Sequence, residues 1–282
     1  MGRLFGTDGA RGIANTELTA EIAMNIGRAA ALVLSKHTFS HPRVLIGMDT
    51  RISGDMLKAA VCAGLCSVGA DAVVVGVLPT PATAYLISKC GCDAGVMISA
   101  SHNPCEYNGI KLFDKDGYKL PDALEEEIER LVLDTPELLP SPTHGELGRI
   151  IEDNNAVKLY IEHIKSTIDV DLSGMKIAFD CANGSSSVTA YDIFSSLGAN
   201  CLMLSHEPDG ININYNCGST HMDNLITYVK ENGCDAGFAF DGDADRCLAV
   251  DENGEVVDGD KLTDVADEIK ESEVFHPVIV VD

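Results

Sequence analysis

GCDAGVMISASHNP, residues 91–104, and GCDAGFAFDGDADR, residues 233–246, decide the fold, because they are one segment written twice. Each opens on Gly-Cys-Asp-Ala-Gly, runs through a short apolar stretch and breaks into small polar or charged residues. A second pair, GADAVVVG (69–76) and GANCLMLS (198–205), precedes them in the same order. Two repeats at similar offsets predict one α/β unit that has been duplicated with an insertion. With Gly91 laid on Gly233, Ser101 falls opposite Asp243, so two unusual motifs leave the same end of equivalent strands. Ligands of open α/β sheets bind just outside such carboxyl ends. Ser, Asn and Pro also make ordinary turns, but the duplication favours Ser101 as a nucleophile or phosphate carrier.

Working outward, strand-like and helix-like runs alternate. Arg43–Met48 and Asp71–Gly76 are apolar enough for buried strands, and Met56–Val68 has helical character. Thr80-Pro81 suits an N-cap and first-turn proline. Thr19 to about Lys36 places Ile22, Ile26, Ala29, Ala30 and Val33 on one stripe, and Pro121 opens PDALEEEIERLVL with its acids at the favourable end. Such alternation predicts βαβ units. DTPELLPSPTHGELG (134–148) interrupts the period with prolines and glycines; a helix over about Asn155–Ser166 follows, and alternation resumes at Lys176. The expected class is therefore α/β: two duplicated domains with mainly parallel mixed sheets, 1–150 and 151–254, and a truncated third beginning at 255–282.

The chain has 282 residues and a formal net charge of −24. That surface repels nucleic acid and anionic membranes, so an anionic substrate needs a local cluster of Arg and Lys. No apolar run is long enough to span a bilayer, and MGRLFGTDGARG lacks a signal core, which points to a soluble cytoplasmic protein. The 10 cysteines include no C-x-x-C pair and suit free thiols in a reducing compartment; Cys90-Gly91-Cys92 is the lone candidate for a metal or redox pair.

FAFDGDADRCLAV (238–250) carries Asp241, Asp243 and Asp245. In a continuous strand these would span roughly 13 Å, too far to share an ion. Gly242 and Ala244 permit a loop in which they converge, and three adjacent carboxylates call for a hard divalent cation, Mg²⁺ above all. An EF-hand would place Gly where Arg246 stands, although Glu252 fits its last position. A solvated acidic turn is the bland alternative. Arg11 in FGTDGARG, Arg51 in GMDTRISG and Lys111 in NGIK bring positive charge near glycines, with Arg51 at a helix start suited to an anion.

FGTDGARG (5–12), GMDTRISG (47–54), ISASHNP (98–104), NGIK (108–111) and DGDADR (241–246), in this order, closely resemble the α-D-phosphohexomutases. ELTAE after the first motif, the Ser-Ala-Ser-His-Asn-Pro form and DENGEVVDGDK (251–261) are most similar to the phosphoglucosamine mutase branch. The resemblance implies a phosphoserine at Ser101 that phosphorylates O1 of glucosamine 6-phosphate. A 1,6-bisphosphate forms, reorients and returns its 6-phosphate; a hexosamine 1,6-bisphosphate primes the cycle. Ser101, Asp241, Asp243 and Asp245 would hold Mg²⁺. Lys111 and His102 are candidates for proton transfer, Lys111 alternatively as a cation, and Arg11, Arg51 and Arg246 for phosphate binding, with Arg11 also among the catalytic groups. Implied partners are a phosphorylated amino sugar, a second copy through the first domain and a diadenylate cyclase. The family's sugar-recognition loop (Gly-Glu-x-Ser-Gly-His) and C-terminal phosphate clamp do not occur, and the sequence stops at HPVIVVD. A fragment with little turnover of its own is therefore expected. A phosphomannomutase or phosphoglucomutase, or a truncated binding module, are the alternatives.

Overall fold

A computed structural model describes residues 3–6, 9–34 and 41–257. The expected extension of the first helix to Lys36 and nearly all of the expected third domain, from residue 258, lie outside them.

The first sheet is built from β1 (Phe5–Gly6), β2 (Gly9–Ile13), β3 (Arg43–Met48), β4 (Asp71–Val77), β5 (Ala94–Ile98), β6 (Tyr107–Phe113) and β7 (Ile150–Glu152), ordered β1-β2-β6-β5-β3-β4-β7. Its helices are α1 (Ala20–Leu34), α2 (Ser53–Ser67), α3 (Thr80–Lys89), α4 (Asp122–Leu133) and α5 (Ala156–Ser166). Strand alternation sorts the core into two layers. Val44 and Ile46 face a cluster with Ile26, Val61, Leu65 and Ile128 of α1, α2 and α4. Leu45 and Val73 face the other side with Leu86 of α3 and Tyr160 of α5. Ile26, Ala29, Ala30 and Val33 are buried as the stripe predicts, and Ile22 packs at its edge.

The second sheet comprises β8 (Lys176–Asp180), β9 (Asn200–Leu204), β10 (Ala236–Phe240), β11 (Cys247–Asp251) and β12 (Val256–Val257), ordered β12-β11-β10-β8-β9. Helix α6 (Ala190–Ser196) supplies Phe194, which stacks on Phe179 at 4.4 Å; α7 (Asp223–Asn232) buries Leu225 and Val229 on the opposite face.

The duplication is visible in the pairing. β5 lies parallel to β3 and antiparallel to β6; β10 lies parallel to β8 and antiparallel to β11. Both sheets are thus mixed: parallel strands in the duplicated centre, antiparallel ones added on one side. The serine and acidic motifs are the two hairpin connections, β5 to β6 and β10 to β11. β7 straddles the expected boundary between residues 150 and 151 and α5 lies beyond it, yet β7 pairs with β4 and α5 packs on α3. β12 likewise carries the second sheet past residue 254.

All 10 cysteines are free thiols, Cys90 and Cys92 included. No helix among the described residues is long and apolar enough to cross a membrane.

Candidate active site

β5 is buried along its whole length, which drives it through the sheet and delivers the following loop to its carboxyl end. There Ser101 takes φ = +53°, a left-handed conformation that costs a non-glycine residue free energy and marks functional loops. Ser99 Oγ accepts a hydrogen bond from the Ser101 amide (2.9 Å) and donates to Asp49 Oδ2 (2.7 Å). Ser101 is only 1% exposed, and its Oγ donates to Asp241 Oδ2 at 2.6 Å. The serine of one unit therefore meets the acidic loop of the other.

The acidic loop turns on Ala244, also left-handed at φ = +54°, whose amide donates to Asp241 O. This brings carboxylate oxygens of Asp241, Asp243 and Asp245 within 4.8 Å of one another. Lys111 on β6 points its Nζ at Asp243 Oδ2 (2.8 Å) and Asp245 Oδ2 (3.1 Å), with its side chain 5% exposed. Thr80 clasps Asp243 from α3: its hydroxyl donates to Oδ2 (2.6 Å) and its amide to the main-chain oxygen (2.9 Å). Thr80 is thus not the expected N-cap. It lies inside the helix, after Pro79, and its hydroxyl is spent on the acidic loop.

The charges are unevenly held. Burial, then the charges of Asp243 and Asp245, push the Asp241 carboxyl up to about 7. Burial would raise Asp243 too, but the Lys111 charge and hydrogen bond, helped by Thr80, hold it below its ordinary value. Burial and Asp243 raise Asp245 against the opposing pull of Lys111. Asp243 Oδ1 and Asp245 Oδ1 are buried and accept no hydrogen bond among the described residues. Unsatisfied buried carboxylate oxygens are costly, and a hard divalent cation is the species that three convergent carboxylates suit. The residues fit such an ion. A cation binding there has to displace the Asp241 proton, because a ligating carboxylate is deprotonated. Apparent Mg²⁺ affinity is therefore expected to rise about tenfold per pH unit as pH climbs towards about 7, then level off. The metal-free protein has the opposite trend: the raised carboxyl withdraws stability as pH passes from its ordinary value to about 7. Calorimetric Mg²⁺ titrations across that range check the first; a flat affinity would contradict it.

On the open side, Arg246 is exposed and His102 and Arg11 are half-buried. Arg246 Nη1 lies 3.3 Å from His102 Nδ1. A guanidinium only donates, so Nδ1 accepts and the neutral ring carries its proton on Nε2. Burial first, then the charges of Arg246 and Arg11, lower the His102 pKa and favour that neutral ring. Arg11 sits on β2 opposite Gly109.

Arg51 is elsewhere. Its side chain is fully buried and ion-paired with Asp49, Nε to Oδ2 at 2.9 Å. Nη1 donates to Pro104 O and Tyr107 O, and Nη2 to Ser101 O and Asn103 O. All five donors are spent, so none remains for a phosphate, and the expected phosphate ligand is instead a strut beneath the serine loop. Asp49, Ser99 and Asn214 were not singled out from the sequence, and Thr80 was expected only as a helix cap. Of these, only Asp49 had a local signal, standing two residues before Arg51 at a strand end.

Family models described as phosphoglucomutase/phosphomannomutase alpha/beta/alpha domain I and domain II match residues 2–138 and 158–254. The chain is 61% identical over 260 residues to a phosphoglucosamine mutase of Clostridium novyi, covering 92% of this chain and 58% of that protein. It is 56% identical over 282 residues to the phosphoglucosamine mutase of Clostridium acetobutylicum, covering 100% and 63%. It thus spans less than two thirds of the length of these curated relatives. Among solved structures, a phosphoglucomutase/phosphomannomutase family protein from Burkholderia thailandensis superposes with a TM-score of 0.82 at 26% identity, covering 96% of this chain and 59% of that one.

Proposed function

We propose that this chain, which belongs to the phosphoglucomutase/phosphomannomutase family, forms the phosphoserine- and metal-bearing part of a phosphoglucosamine mutase. The reaction is the interconversion of glucosamine 6-phosphate and glucosamine 1-phosphate. The observation that carries this is the 2.6 Å hydrogen bond from Ser101 Oγ to Asp241, which joins a strained serine to a convergent carboxylate cluster from the duplicated unit.

Ser101 accepts and returns a phosphoryl group. In the forward direction the Oγ–P bond breaks as the sugar O1–P bond forms, the O1 proton leaves and Ser101 Oγ regains one. The bound 1,6-bisphosphate turns over, and its 6-phosphoryl group passes back to Oγ. Phosphoryl transfer needs positioning and charge neutralisation above all. Asp241, Asp243 and Asp245 would hold Mg²⁺ beside Ser101, where it would neutralise charge on the transferring oxygens. Lys111, gripped by two carboxylates, serves better as a fixed cation than as a base. His102, neutral with its proton on Nε2, can donate a hydrogen bond to a sugar hydroxyl or phosphoryl oxygen; delivering a proton would require the imidazolium that burial, Arg246 and Arg11 disfavour. Arg11 and Arg246, on the open side, suit phosphoryl oxygens through their planar donors. A cytoplasmic setting, pairing of two copies through the first unit and association with a diadenylate cyclase extend the same proposal.

The test is turnover by the complete protein containing this sequence. Glucosamine 6-phosphate is expected to be isomerised with kcat/KM at least about tenfold above glucose and mannose 6-phosphates, a preference of about 1.4 kcal/mol. Preference for either neutral sugar would overturn the assignment within the family.

A further inference from the structure

We propose that Arg51 and Asn214 form a two-sided clamp that positions the Ser101 hydroxyl, one jaw from each duplicated unit. The proposal rests on the phosphoserine reading above and deepens it. The clamp closes on two carbonyls. Ser101 O accepts from Arg51 Nη2 (2.9 Å) and from Asn214 Nδ2 (2.9 Å). Asn103 O accepts from the same two groups, at 2.8 and 3.1 Å. The first jaw is anchored by Asp49, which takes the Arg51 amide and Nε through its two oxygens and also takes Ser99 Oγ. Ser99 Oγ in turn accepts the Ser101 amide. Both backbone polar groups of Ser101 are therefore fixed by groups that trace to one buried ion pair. With its left-handed backbone so held, only rotation about χ1 remains to aim Oγ.

The second jaw links this loop to the unit that carries the carboxylates. Asn214 is itself left-handed, at φ = +57°, and its amide donates to Ala182 O at 2.9 Å. Asn is the residue that suits this place: it tolerates the conformation, and its NH₂ has two donors for two carbonyls. Gly242 of the acidic loop packs directly against the junction. A Cβ there would stand 2.7 Å from Ser101 O and 2.8 Å from Asn214 Nδ2. The clamp thus sets the distance between Ser101 and Asp241 without touching the reacting atoms. Arg51 and Asn214 are positioning residues in that sense.

The discriminating variant is Asn214→Gly, which keeps the left-handed backbone accessible and removes both donors. Asn214→Asp, which turns acceptor oxygens towards two carbonyls, is the second. Each is made in the complete protein and compared with the parent for four properties: the rate of Ser101 phosphorylation by saturating glucose 1,6-bisphosphate, the half-saturating bisphosphate concentration, the Mg²⁺ dissociation constant and the thermal midpoint. Misplacement of a reacting group by about 1 Å costs about 100-fold in rate. The expected result is a fall of roughly 10- to 100-fold in the saturated rate, with half-saturation and Mg²⁺ affinity within about threefold of the parent. Arg51→Lys, which keeps the charge beside Asp49 but cannot fork across four carbonyls, is expected to behave in the same way. A saturated rate within about twofold of the parent overturns the clamp, as does a loss matched by loss of Mg²⁺ binding or of the folded state. A parent protein whose Ser101 takes no phosphate overturns the phosphoserine reading and the clamp with it.

Discussion

Ser101→Ala is expected to abolish phosphate uptake at this position and to lower mutase turnover of the complete protein by at least about 1,000-fold. The size follows from the role: no other hydroxyl is hydrogen-bonded to Asp241 among the described residues, and the loop geometry that aims Oγ has nothing else to aim. The fold is expected to survive. The substitution removes one hydrogen bond, worth about 1 kcal/mol, while the contacts that hold residue 101 are made through its backbone amide and carbonyl. Kinetic assay of the variant beside its circular dichroism melt checks both parts. Turnover within about tenfold of the parent would remove Ser101 from the reaction.

Arg51→Ala is expected to carry the largest stability loss, about 3–5 kcal/mol, because removing one partner of a buried ion pair strands the other. Here the damage is wider than the pair. Asp49 loses its counterion while burial already pushes its carboxyl up, and four loop carbonyls each lose a donor. Ser101 O and Asn103 O keep Asn214, whereas Pro104 O and Tyr107 O lose the guanidinium donor that reaches them. Urea denaturation with the slope compared between parent and variant reads the change directly. A loss under about 1 kcal/mol would mean that the loop is held mainly by something other than this pair.

The contrast between Ser101 and Arg51 explains what the sequence discloses. The duplicated Gly-Cys-Asp-Ala-Gly segments announce two equivalent strands, and β5 and β10 occupy equivalent places in their sheets. That equivalence locates the serine and acidic loops, since both are hairpin connections at carboxyl ends. Local composition also limits the acidic loop to a turn, because Gly242 and Ala244 sit between the carboxylates. Arg51 is different. An arginine between a strand and a helix fits an exposed anion site as well as a buried strut, and the choice depends on Asp49 and on carbonyls about 50 residues away. Asn214 lies 113 residues from the carbonyl it holds, in a loop with no periodicity to flag it. Thr80 has the composition of a helix cap and the partner of a site residue, an acid 163 residues further on. Each of these roles is a long-range hydrogen bond, and a hydrogen bond made across the fold leaves no mark on its neighbours in the chain.

Peptide-mapping mass spectrometry after incubation with Mg²⁺ and glucose 1,6-bisphosphate tests the central claim most directly. One phosphoryl group is expected, confined to the peptide bearing Ser101 and localised there rather than on Ser99, and absent when the divalent cation is chelated. No incorporation, or incorporation at another residue, would contradict the assignment of Ser101 as the phosphoryl carrier.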